Sequence, residues 1–293
     1  MPGLDVARLR SEFQGPHDLV PTSDGQVLFV RRWEADGKSE VSVLIFHGIT
    51  AYSGPYGRLI AAPLTAAGFS VLGLDLRGHG LSDGVRGDYP SRERWERDIA
   101  ETVAYVRTRA RKLVVLGHSL GALSAILAAK VRPDDLSGLI LLGAGPKIRV
   151  GPYRRPSAAA QFRALLGVAI LRGRPLIEYR REGMTGLDDP LFNFRYSARF
   201  YTIQYGVGAL RLQRMLREGV LDSPNLRFGG KVRIPLLVGV GDQDELIPIE
   251  SARALCDSID CDNKEFLVLP GTRHAIVPPG ALVPVQQWLA RRE

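Results

Sequence analysis

The chain has 293 residues, 45% hydrophobic and 24% charged, enough for one large layered core and too apolar for an intrinsically disordered protein. Its two cysteines, Cys256 and Cys261, give neither a disulfide framework nor a zinc-ligand spacing, which points to a reducing, cytoplasmic compartment. The net charge of +8 is local: residues 147–231 hold 16 Lys and Arg against 6 Asp and Glu, and the rest holds 23 against 25, so it is no general argument for nucleic-acid binding.

Residues 1–20 lack the apolar core of a secretory leader, and none is expected. Val27–Trp33 reads as an edge strand. Val41–Phe46, Ser70–Leu76, Leu113–Leu116, Gly138–Leu142, Pro235–Val240 and Glu265–Leu269 read as buried strands, because they are apolar runs rich in Val, Ile and Leu. Helical patterns lie between and after them at Tyr56–Ala67, Arg92–Arg109, Leu120–Val131, Glu250–Ile259 and Ala281–Arg292. This alternation predicts an α/β fold with a mostly parallel central sheet flanked by helices.

Residues 146–231 break the rhythm. No clear strand is predicted there, only helix-like stretches at Ala158–Leu171 and Phe200–Arg217 between Gly-Arg-Pro and Asp-Asp-Pro turns. An insertion of this length reads as a helical, Arg-rich cap on a core formed by residues 1–145 and 232–293. Ala158–Leu171 is the most apolar stretch, but it is interrupted by Gln161 and Arg163 and is too short to span a bilayer.

The pattern Gly-x-Ser-x-Gly occurs twice, around Ser82 and around Ser119. Only Gly117-His118-Ser119-Leu120-Gly121 follows a predicted strand and opens a predicted helix. A nucleophilic serine needs that tight strand-to-helix turn. Ser119 is therefore the candidate nucleophile, and Ser82 reads as structural.

A serine hydroxyl needs a base. His274 follows the last strand, at the carboxyl end of the sheet where such folds place their ligands. His17 lies in the N-terminal lead-in; His47, His79 and His118 sit in glycine-flanked turns. His118 adjoins Ser119, so the two side chains should diverge. The loop Gly241-Asp242-Gln243-Asp244-Glu245 supplies the carboxylate that orients the base. Asp244 is preferred, with Asp242 as a turn brace and Glu245 as a solvated outsider. Backbone N–H groups of Ile49 and Leu120 are the expected oxyanion donors. His47, Gly48, Gly117, His118 and Gly121 are read as shaping the site.

Four stretches carry a family likeness: His47-Gly48-Ile49-Thr50 with Ser53-Gly54-Pro55-Tyr56; Asp75 to Gly84; Gly117 to Gly121; and Gly241-Asp242-Gln243-Asp244 with Gly271-Thr272-Arg273-His274. Through them the chain resembles the α/β-hydrolase superfamily. Within it, the chain is similar to the monoacylglycerol lipase, lysophospholipase and serine aminopeptidase-type group. The resemblance implies an α/β-hydrolase fold with a helical cap after the sixth strand, a Ser119–Asp244–His274 triad, and no cofactor. The oxyanion loop departs from the family in having Ile49 after the glycine.

The expected activity is a serine esterase or lipase that cleaves carboxylic esters through an acyl-serine, on a small-molecule ester or lipid. The alternatives are a peptidase, another acyl or C–C hydrolase, and a non-catalytic binding protein. No metal or nucleic-acid site is expected. The basic cap has two readings. In one, it touches an anionic membrane peripherally or meets an anionic substrate. In the other, which the helical spacing favours, Phe162, Leu166, Ala169 and Ile170 pack on the core and the arginines face solvent.

Overall fold

The computed structural model describes residues 4–37, 39–149, 157–179, 186 and 188–293. A short helix α1 (Val6–Ser11), capped by Asp5, leads into a hairpin of β1 (His17–Pro21) and β2 (Val27–Trp33). There follow β3 (Val41–Phe46), α2 (Ser53–Tyr56), a π-helical turn (Gly57–Ala61), α3 (Ala62–Ala66), β4 (Ser70–Asp75), α4 (Arg92–Arg107), β5 (Lys112–His118), α5 (Gly121–Val131) and β6 (Gly138–Leu142). The inserted region holds α6 (Ala158–Ala169), β7 (Ile177–Glu178), β8 (Arg195–Tyr196), α7 (Ala198–Tyr205) and α8 (Ala209–Glu218). The chain returns to the sheet with β9 (Leu236–Gly241), α9 (Ile249–Ser258), β10 (Lys264–Leu269) and α10 (Val283–Ala290).

Eight strands form one sheet in the order β1-β2-β4-β3-β5-β6-β9-β10. Pairing is parallel from β4 to β10 and antiparallel at β1–β2 and β2–β4. This is the α/β-hydrolase arrangement, with the helical insertion after the sixth strand. One expectation is corrected: β2 is an inner strand, and β1 is the edge. Leu28, Phe29 and Val30 are fully buried, and Arg31 lies against the Phe13 ring at 4.4 Å, so β2 is covered on both sides.

The sheet buries both faces. On one, α4 contributes Trp95, Ile99 and Val103, and α5 is apolar all round because it is enclosed. On the other, Ile60, Leu64, Trp288 and Leu289 pack under the parallel strands. Cys256 and Cys261 are buried and unbridged, in the first of these clusters. Beside the first of these clusters lies a buried ion network. Arg77 donates to both carboxylate oxygens of Asp98 at 2.7 and 2.9 Å, and Arg94 donates to Asp98 at 2.8 Å.

The inserted region differs from expectation in three ways. The single stretch expected from residue 200 is two helices, because Gly206 takes a left-handed φ of 67° and caps α7. A small antiparallel hairpin, β7–β8, is present. Most consequential, α6 does not pack its apolar residues on the core. Leu166 is half-buried, but Ala169 is exposed, Phe162 is 66% exposed and Ile170 72%. No helix among the described residues is long and apolar enough to cross a membrane.

Candidate active site

The loop between β5 and α5 makes the tight turn that its glycines permit. Ser119 has a left-handed φ of 55°, uncommon and strained for a residue with a side chain. Its N–H donates to the Leu142 carbonyl at 2.9 Å, which anchors the turn to β6. The flanking glycines are required by close approach. A Cβ on Gly121 would lie 2.0 Å from the Phe46 carbonyl oxygen, and one on Gly117 2.4 Å from that of Gly121.

Ser119 Oγ lies 2.9 Å from His274 Nε2. His274 Nδ1 lies 2.9 and 3.1 Å from the two oxygens of Asp244. The three side chains thus form one hydrogen-bonded line, although they come from the ends of β5, β9 and β10. Asp244 is buried, whereas Asp242 is exposed. Burial alone would push the Asp244 carboxyl up. Hydrogen bonding and charge from His274, with the N–H groups of Ile247 and Leu246, offset this and hold it below the usual carboxylate range. Asp244 Oδ1 accepts from Leu246 and Ile247, both at 2.8 Å. Glu245 is not the solvated outsider that its position suggested. Its carboxylate accepts the His274 backbone N–H at 3.1 Å and so pins the base loop.

His118 points away from Ser119 and joins a second line of hydrogen bonds. The Gly48 N–H donates to Tyr56 Oη at 2.8 Å, and Tyr56 Oη lies 2.8 Å from His118 Nδ1. His118 Nε2 lies 2.8 Å from the His274 carbonyl oxygen, which can only accept. His118 therefore carries its proton on Nε2 and accepts from the phenol. Burial, with the neighbouring His274, depresses its pKa to about 3. This neutral ring ties three loops together: the one bearing Gly48, the one bearing Ser119 and the one bearing His274.

The loop after β3 carries the candidate oxyanion donors. His47 is buried and its pKa lowered by desolvation; Nε2 accepts the Leu76 N–H at 3.1 Å, and Nδ1 lies 2.9 Å from the Gly48 carbonyl. The N–H groups of Ile49 and Leu120 make no backbone hydrogen bond outside regular helices and strands among the described residues, whereas that of Gly48 is taken by Tyr56. Thr50 has a φ of 68°, a strained value for a β-branched residue. It is held by the inserted region: its N–H donates to Tyr196 Oη at 2.7 Å, and its carbonyl accepts the Asn193 N–H at 2.9 Å. Tyr196 and Asn193 escaped the sequence reading, Tyr56 entered it only through the family likeness, and Glu245 only as a rejected acid. Their roles are tertiary hydrogen bonds, and no local pattern announces those.

Ser82, the rejected alternative, is fully buried. Its hydroxyl donates to the Asp75 carbonyl and accepts the Phe29 N–H at 2.8 Å, which leaves it a structural brace.

Ser119 and His274 open on a pocket lined mainly by apolar and aromatic side chains. Ile49, Leu120 and Leu123 come from the core; Ile148, Tyr201, Tyr205 and Leu221 come from the inserted region. Ile49, the residue that departs from the family pattern, thus faces the pocket. Among the described residues no group of three His, Cys, Asp or Glu is arranged to hold a metal ion.

A family model described as serine aminopeptidase, S33, matches residues 37–278. The monoglyceride lipase of Rattus norvegicus is 26% identical, over 94% of this chain and 90% of its own. The monoacylglycerol lipase of Mycolicibacterium smegmatis is 28% identical, over 83% and 84%. The crystal structure of a monoacylglycerol lipase from Paleococcus ferrophilus superposes with a TM-score of 0.61 at 24% identity, over 91% of this chain and 99% of that one. The chain is a hydrolase of the α/β-hydrolase fold and belongs to the serine aminopeptidase S33 family.

Proposed function

We propose that the protein is a serine carboxylester hydrolase acting on apolar acyl esters of the monoacylglycerol type. The observation that carries this reading is the Ser119–His274–Asp244 line, at 2.9 Å per link, opening on an apolar pocket. The distant monoglyceride and monoacylglycerol lipase relatives support the substrate class.

In this mechanism Ser119 Oγ attacks the ester carbonyl carbon while its proton passes to His274 Nε2. Asp244 orients the ring and stabilises the imidazolium. The N–H groups of Ile49 and Leu120 receive the oxyanion; one such donor is worth about 3–4 kcal/mol of barrier. The alcohol leaves with the proton from His274. Water then attacks the acyl-serine by the same route; the carboxylic acid leaves and Ser119 Oγ regains its proton from His274. Residues 1–145 and 232–293 form the catalytic core, and residues 146–231 act as the cap that shapes the pocket.

A peptidase acting on a free α-amino terminus calls for a carboxylate in the pocket, and the described lining residues include none. The test is hydrolysis of p-nitrophenyl esters and monoacylglycerols of graded chain length by the wild type and by Ser119→Ala. Turnover is expected to disappear in the variant. Full turnover by Ser119→Ala refutes the reading, and so does faster cleavage of aminoacyl-naphthylamides than of esters by the wild type.

A further inference from the structure

Arg149 is the one permanently charged side chain among the described residues that line the pocket. Two hydrogen bonds fix the residue: its backbone N–H donates to the Leu246 carbonyl at 2.6 Å, and its side-chain Nη1 donates to the Asp244 carbonyl at 3.2 Å. Both acceptors belong to the loop that carries the triad acid. A guanidinium has five N–H donors, so most of this fork is uncommitted. No described carboxylate pairs with it. Some arginines of the inserted region have acidic partners, Arg199 with Asp88, Arg214 with Glu218 and Arg227 with Asp222; what sets Arg149 apart is its place in the pocket lining. Arg149 is exposed on the solvent side and borders an apolar cavity on the other.

We infer that Arg149 is a specificity residue that receives an anionic group, a phosphate or a carboxylate, carried by the ester substrate. The planar fork suits bidentate binding of either anion at the solvent-facing edge of the pocket. The apolar lining takes the hydrocarbon part, so the preferred substrate is amphiphilic with one negative end. This inference rests on the proposed esterase activity and adds the charge of the substrate to it.

The experiment compares kcat/KM within two matched pairs of esters. One pair is an acylglycerol phosphate against the acylglycerol of the same chain length, with the anion on the alcohol. The other is an ester of a long-chain dicarboxylic acid with one free carboxylate against its diester, with the anion on the acyl chain. The wild type should favour the anionic member of at least one pair by ten-fold or more, and the pair that responds identifies the source of the anion. Arg149→Met should cut that preference at least ten-fold, whereas Arg149→Lys should keep part of it. The ratio within a pair is insensitive to any general disturbance of the Asp244 loop, because both members use the same triad. Preference for the neutral member in both pairs overturns the inference, as does an unchanged ratio in Arg149→Met. Absence of turnover on all four esters, in folded protein, overturns the esterase reading itself; turnover of the neutral esters alone overturns only the role of Arg149.

Discussion

The backbone N–H of Thr50 donates to the phenol oxygen of Tyr196 across 2.7 Å, joining residues 146 apart in sequence. One belongs to the candidate oxyanion loop and the other to the hairpin of the inserted region. Thr50 is strained at a φ of 68°, so the loop needs outside support to hold the Ile49 N–H in place. Tyr196→Phe leaves a buried N–H without its acceptor, a loss of about 1–3 kcal/mol. If the loop relaxes as a result, kcat on a short p-nitrophenyl ester falls about ten-fold or more. KM should change little, because Tyr196 is fully buried away from the pocket lining. Saturation kinetics on the purified variant separate the two parameters.

The three acids after β9 make a graded test. Asp244→Asn keeps the shape but not the charge or the acceptor pair facing His274 Nδ1, and kcat should fall by about 10³–10⁴. Glu245→Gln still offers a carbonyl oxygen to the His274 N–H, so its loss should stay below about ten-fold. Asp242 is exposed, and Asp242→Asn should leave kcat/KM within about two-fold. A larger loss in Asp242→Asn than in Asp244→Asn would contradict the assignment of the orienting acid.

His118 makes stability depend on acid. Its folded pKa of about 3 lies below the ordinary value of 6.5. Between those values the unfolded chain holds the extra proton and the folded chain does not. The contribution is therefore complete above pH 6.5 and is lost as the pH falls toward 3, by at most about 1.4 kcal/mol per pH unit. Burial pushes His47 and His79 in the same direction. Urea midpoints measured between pH 7 and 5 should fall for the wild type. They should fall less steeply for His118→Gln, whatever its stability at neutral pH. Parallel slopes for the two proteins would show that His118 is not held neutral.

Asp98 lies under two guanidinium groups, with side chains of Arg77 and Asp98 only 4% and 1% exposed. Asp98→Ala leaves both cations without their shared partner. Arg77 retains Asp24 and Arg94 retains Glu101, so the cost should lie near the lower end for a broken buried pair, about 3 kcal/mol. Urea denaturation followed by circular dichroism measures it.

The parts that could be read along the chain are those whose cause is local. Val41–Phe46, polar only at Ser42, and Leu236–Gly241 are apolar runs because both faces are covered, and such runs stand out. Ser119 was separable from Ser82 because a strand precedes it and a helix follows it. By contrast, β1 reads His-Asp-Leu-Val-Pro, too short and polar to signal a strand; it exists through its pairing with β2. The apolar spacing of α6 was legible, but spacing does not say what covers a helix face, and here Phe162 and Ile170 stand in solvent. The roles of Glu245, Tyr56 and Tyr196 are not legible along the chain because each is defined by a backbone group on another loop.

The separation of the proposed triad along the chain also bears on how the protein is made. Ser119 and His274 are 155 residues apart, and Asp244 precedes His274 by 30. A nascent chain folded only through β6 has its serine on a strained turn but no base beside it. The hydroxyl gains its partner only when β10 has docked along β9, so reactivity toward a fluorophosphonate reports completion of the sheet. A chain that ends before β10 is therefore expected to be inert toward a fluorophosphonate even where its β5–α5 turn is built.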